Sequence, residues 1–101
     1  MSGVTTHSGC ALDYPEDVAL AYGTVRGHQL ILADVRGDGA ASRAVLDEIG
    51  DCAECFRNMV LFLTGVAGSI SVALAENAGA DRAAALRQWE SGLAAARSGL
   101  P

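Results

Sequence analysis

Apolar residues recur at steps of three and four over four stretches of this chain. Each stretch is bounded by proline, glycine or aspartate, which predicts helices joined by short turns. The first opens at Pro15, followed by Glu16 and Asp17. Proline's missing donor costs nothing in a first helical turn, and acids there meet the helix dipole favourably. Val18, Ala21, Tyr22, Val25, Gln29, Leu32 and Val35 then keep one stripe on a common face as far as Arg36. Gly23 and Gly27 weaken this helix by up to ~1 kcal/mol each, and residues 30–33 also fit a short buried strand.

Gly37-Asp38-Gly39 breaks the pattern, and Asp38 is placed to cap a second helix over residues 40–49 with Val45, Leu46 and Ile49 inward. Gly50 ends it. With Asp51 as cap, a third helix runs from 52 to about 76. Its stretch from Met59 to Ala75 carries no charge over 17 residues, the lower limit for crossing a bilayer. Thr64, Gly65, Gly68, Ser69 and Ser71 lie within it, and small residues at that density suit the buried central helix of a soluble bundle. Asn77-Ala78-Gly79 ends the helix. Asp81 caps a fourth, residues 82–97, striped by Leu86, Trp89, Leu93 and Ala96, with Trp89 expected to pack on the third helix. The expectation is an all-α antiparallel bundle of about four helices, residues 15–98, preceded by a polar Gly- and Ser-rich arm, residues 1–14.

Composition narrows the function more than the fold. A chain of 101 residues, half of them apolar and with a net charge of −5, makes one domain with enough core to fold without staples. From Asp13 to Glu54 there are nine acids against three arginines; from Cys55 onward, three acids against four arginines. Scattered arginines and an acidic balance argue against nucleic acid, since phosphate neutralisation needs clustered cations. The first ten residues show neither a positively charged region nor an apolar one, so the expected compartment is the cytoplasm, with no membrane partner. No nucleotide loop, HExxH or nucleophile elbow is present.

Two half-motifs carry the candidate chemistry: His7-x2-Cys10 in the arm and Cys52-x2-Cys55 at the start of the third helix. Two residues between ligands let both side chains reach one ion, and one His with three Cys is an ordinary tetrahedral set for structural zinc. Short turns make the first three helices run up, down and up, so the arm ends where the CxxC begins. Thiols at a helix N-terminus are also favoured as thiolates. Two other readings stand beside zinc: buried, unliganded thiols, and dithiol redox exchange. His28 is an alternative to His7, and Asp47, Glu48, Asp51 and Glu54 share one helix end as a solvated acidic edge.

Glu48 and Cys52-Ala53-Glu54-Cys55 resemble the acid and dithiol of the all-helical alkylhydroperoxidase D-like proteins. That resemblance implies thiol-disulfide chemistry, but the family's histidine after the second cysteine is replaced here by the Asn58-Met59 region. The wider pattern of polar arm, Gly-Asp hairpin, apolar helix and closing helix with Arg87-Gln88-Trp89-Glu90 resembles small helical proteins of unknown function from high-GC Gram-positive bacteria and their phages. The absence of lysine beside seven arginines fits such a source. This resemblance implies an accessory role. The reading is therefore a non-catalytic, regulatory helical domain that binds protein or a second copy of itself, with a structural zinc held by His7, Cys10, Cys52 and Cys55.

Overall fold

The computed structural model describes residues 7–101, so the first six residues of the predicted arm lie outside the described residues. These contain one 3-10 turn, Ala11–Asp13, and four helices: α1 Glu16–Arg36, α2 Gly39–Ile49, α3 Ala53–Asn77 and α4 Arg82–Ser98. No strand occurs among them, and residues 30–33 are helical. The fold is all-α. The chain forms two compact units, Met1–Thr64 and Gly65–Pro101, and α3 runs from one into the other.

Two of the three helix-to-helix turns follow from the same local chemistry. Gly37 is left-handed at φ +69°, its N–H donates to the Asp34 carbonyl, and the Asp38 N–H donates back to Ala33. This is a Schellman closure, in which glycine avoids the Cβ penalty of positive φ. Asp38 at once caps α2 by accepting from the Ala41 N–H at 3.0 Å. The same device recurs after α3, with Gly79 at φ +80°, the Ala80 N–H on the Ala75 carbonyl and Asp81 capping α4 through Ala84.

In the first unit the core gathers at one end, where Ile49, Met59, Cys10 and Cys55 are buried and Leu30, Phe56 and Leu63 pack against them. Burying Ile49 and Met59 contributes about 1.5–3 kcal/mol each. The buried face of α1 differs from the predicted stripe. Val25, Leu32 and Val35 are exposed, whereas Ala19, Gly23, Arg26, Gly27 and Ala33 face inward. The reason is close approach. A Cβ at Gly23 would lie 2.8 Å from Asn58, and one at Gly27 would lie 2.2 Å from the Phe62 ring, so α3 crosses where α1 has no side chains. The pairs 23/58 and 27/62 advance together, as up-down-up topology requires of α1 and α3.

A second expectation also changes. The apolar pattern predicts a buried central helix, yet the buried residues of α3 are Cys55 and Met59, both in its first two turns. As a whole the helix is long and apolar enough to cross a membrane by length and composition, with only 6% of its most apolar window buried.

Replacing Gly27 with alanine should lower stability by about 1–3 kcal/mol through overpacking against Phe62, and Asp38→Ala by about 1 kcal/mol through the lost cap. Denaturant midpoints at unchanged slope check both. Wild-type midpoints for Gly27→Ala would contradict the α1–α3 packing.

Candidate metal centre

The site is built from two turns. In the first, the Cys10 N–H donates to the His7 carbonyl at 3.1 Å, and Gly9 sits at φ +65°. Such a turn needs glycine on conformational grounds. It needs it on steric grounds too, because a Cβ there would lie 2.6 Å from Tyr22 Cε1. In the second, Gly50 closes α2 at φ +63°, the Cys52 N–H donates to the Ile49 carbonyl, and α3 starts at Ala53. Cys52 therefore occupies the cap position predicted for Asp51, and Cys55 lies in the first turn of α3.

The two turns meet. His7 Nε2 and the sulfurs of Cys10, Cys52 and Cys55 all lie within 4.8 Å of one another. Cys10 Sγ is 3.8 Å from Cys52 Sγ, and Cys55 Sγ is 3.2 Å from His7 Nε2. Bonds of ~2.3 Å from zinc to sulfur and ~2.0–2.1 Å to nitrogen, set tetrahedrally, separate two sulfurs by about 3.8 Å and a sulfur from a nitrogen by about 3.6 Å. The four donors are thus close enough together to hold a metal ion.

The surroundings orient the ligands. His7 Nδ1 is 2.9 Å from the Ser8 carbonyl. A carbonyl only accepts, so Nδ1 carries the proton and Nε2 presents its lone pair to the other three donors. The Ala11 N–H donates to Cys55 Sγ at 3.2 Å and fixes the position of that sulfur. Cys10 and Cys55 are each 1% exposed, while Cys52 is half-buried. An open cleft of about 550 Å³ reaches the site, lined by His7, Cys10 and Cys52 together with the acids Asp47, Glu48, Asp51 and Glu54.

Sequence reasoning missed Arg26. It is 4% exposed in the middle of α1, and its Nη2 donates to the Ser8 carbonyl at 2.9 Å and to the Gly9 carbonyl at 3.1 Å. Glu48 Oε1 lies 3.6 Å away, and the guanidinium covers the Tyr22 ring. A buried cation is tolerated only when paired and fully hydrogen-bonded, and the arm's turn supplies those bonds. Tyr14, leaving the arm, sets its ring 5.2 Å from that of Tyr22; hydrogen bonding to Tyr22 raises its pKa above the ordinary phenol value. The one hint in the sequence is an arginine flanked by Gly23 and Gly27 where α1 lacks bulk. His28 is elsewhere, bonded to the Thr24 carbonyl and stacked on Phe62.

Comparison with protein-family models, with curated proteins and with solved structures finds no match for this chain.

In metal-free protein, a thiol reagent should label Cys52 first and Cys10 and Cys55 more slowly. Gly9→Ala should bring Cys10 to the rate of Cys52, by displacing the turn from Tyr22. Equal rates for all three thiols in the wild type would contradict the burial described.

Proposed function

We propose that this protein is a non-catalytic helical domain whose N-terminal arm is pinned by a structural zinc ion on His7, Cys10, Cys52 and Cys55. The observation that carries the reading is the convergence of four soft or borderline donors, from segments 42 residues apart, within 4.8 Å of one another. All three cysteines are used. A set of four protein ligands leaves no position for substrate, which distinguishes a structural from a catalytic zinc. Three thiolates and a divalent cation leave one net negative charge, and the Arg26 guanidinium lies against the carbonyls of the same turn. Arg26 acts here as a positioning residue, holding the turn that carries His7 and Cys10.

The role proposed for the domain is recognition of a protein partner, in keeping with the absence of a catalytic constellation in its sequence. Cytoplasmic residence belongs to the same reading, because three cysteines kept as metal ligands suit a reducing compartment.

Protein produced without an affinity tag should contain one zinc per chain. Cobalt replacing it should give the intense ligand-field bands and sulfur-to-metal charge transfer of a tetrahedral thiolate site. Cys52→Ser or Cys55→Ser should abolish these bands. Arg26→Ala should keep the spectrum but weaken the affinity by about 10–100-fold in a chelator competition, as loss of an outer-shell partner does. Chelation should loosen the arm and lower the melting temperature. A metal-free protein whose dithiol cycles with a reductant while the fold is unchanged would replace this reading with the redox one.

A further inference from the structure

The cleft that opens on the four donors does not reach the three cysteines equally. Cys52 is half-buried and lines it, and Cys10, 1% exposed, lines it too. Cys55 is as buried as Cys10 and is not among the lining residues. A small molecule entering the cleft therefore meets the sulfur of Cys52 first. Cys10 Sγ stands 3.8 Å from it. A disulfide holds its sulfurs about 2.05 Å apart, so the pair closes by about 1.8 Å of approach, within reach of side-chain rotation.

Cys55 is engaged elsewhere. Its sulfur accepts from the Ala11 N–H at 3.2 Å and lies 3.2 Å from His7 Nε2. Cys10 precedes the 3-10 turn and Cys52 precedes α3, so a bond between them joins two segment starts and unwinds neither helix. The lining also selects the reagent. Asp47, Glu48, Asp51 and Glu54 line the cleft, and no arginine is among its lining residues. An anionic oxidant meets a field of its own sign there, whereas a neutral hydroperoxide does not.

We infer that Cys52 is an oxidation site for hydrogen peroxide and that Cys10 is its resolving thiol, so that the link between arm and α3 passes from a metal ion to a disulfide. The inference rests on the zinc reading, under which both sulfurs are thiolates. The Cys52 sulfur attacks one peroxide oxygen, the O–O bond breaks, and the other oxygen leaves as hydroxide, which takes a proton from solvent to become water. Cys52 is then a sulfenic acid. The Cys10 thiolate attacks its sulfur, the S–S bond forms, the S–O bond breaks, and a second hydroxide leaves and is protonated. Each sulfur gives up one electron and the peroxide takes both. His7 and Cys55 remain as two donors, too few for a structural zinc site. A dithiol reductant returns the two electrons, becomes a disulfide itself, and restores the full ligand set. The choice of pair matters. A disulfide within the CxxC would let the arm go, whereas one from Cys10 to Cys52 keeps it on α3 and frees His7 and Cys55.

Peptide mapping of the full-length zinc-loaded protein tests this. The protein is treated with hydrogen peroxide until thiol loss is complete, alkylated with N-ethylmaleimide and cleaved after arginine without reduction. Cuts after Arg26, Arg43 and Arg57 place Cys10 in residues 1–26 and both Cys52 and Cys55 in residues 44–57. The expected product is these two peptides joined through Cys52, with the maleimide on Cys55. Bound zinc should be lost in step with the joining, and dithiothreitol with added zinc should reverse both. A peptide 44–57 closed on itself, a link through Cys55, a sulfinic acid on Cys52 without any link, or zinc retained with all three thiols still alkylated would each overturn the inference. Zinc is measured before peroxide is added. Protein lacking it at that point contradicts the metal reading, while the map still decides which thiols pair.

Discussion

The turn His7-Ser8-Gly9-Cys10 has almost nothing apolar with which to hold itself against the helices, yet Cys10 is among the most buried side chains in the protein. Its place depends on directed bonds. The Arg26 guanidinium takes the carbonyls of Ser8 and Gly9, the Ala11 amide reaches Cys55 Sγ, and His7 Nε2 meets the same sulfur. Each such bond contributes on the order of 1 kcal/mol net, and together they are modest against the entropy of ordering a polar arm. An ion shared by all four donors would add far more, since binding energy at a structural zinc site is folding energy.

This arrangement accounts for the composition of α1. A helix chosen for its apolar stripe would turn Val25, Leu32 and Val35 inward. Here the inner face carries two glycines, two alanines and an arginine, because α3 must pass close enough for its first turn to bring Cys52 and Cys55 under the arm. The close crossing costs helix propensity at Gly23 and Gly27 and gains a rigid separation between the two halves of the site. Glu48 completes it from α2, so that arm, α1 and α2 meet around one guanidinium.

What the sequence disclosed, it disclosed through local rules. The Gly37-Asp38 and Gly79 to Asp81 turns are written in glycine's tolerance of positive φ and aspartate's fit to a helix cap, both of which act within a few residues. Knuckle spacing marked His7, Cys10, Cys52 and Cys55, and up-down-up topology placed them at one end. The inward face of α1 was illegible because hydrophobic periodicity ranks valine and leucine above glycine, and because the partner that buries Arg26 lies 17 residues earlier in a segment without pattern. The exposure of α3 escaped for a related reason. Apolar content predicts that a helix is covered without saying whether its own chain supplies the cover.

The centre of the account is that one metal ion joins the arm to the start of α3. X-ray absorption at the zinc edge, on protein as purified, reads the first coordination sphere directly. The account predicts three sulfurs at about 2.3 Å and one imidazole nitrogen at about 2.0–2.1 Å, with the nitrogen shell lost in His7→Ala. A sphere of oxygen and nitrogen alone, or a spectrum unchanged by that substitution, would contradict it.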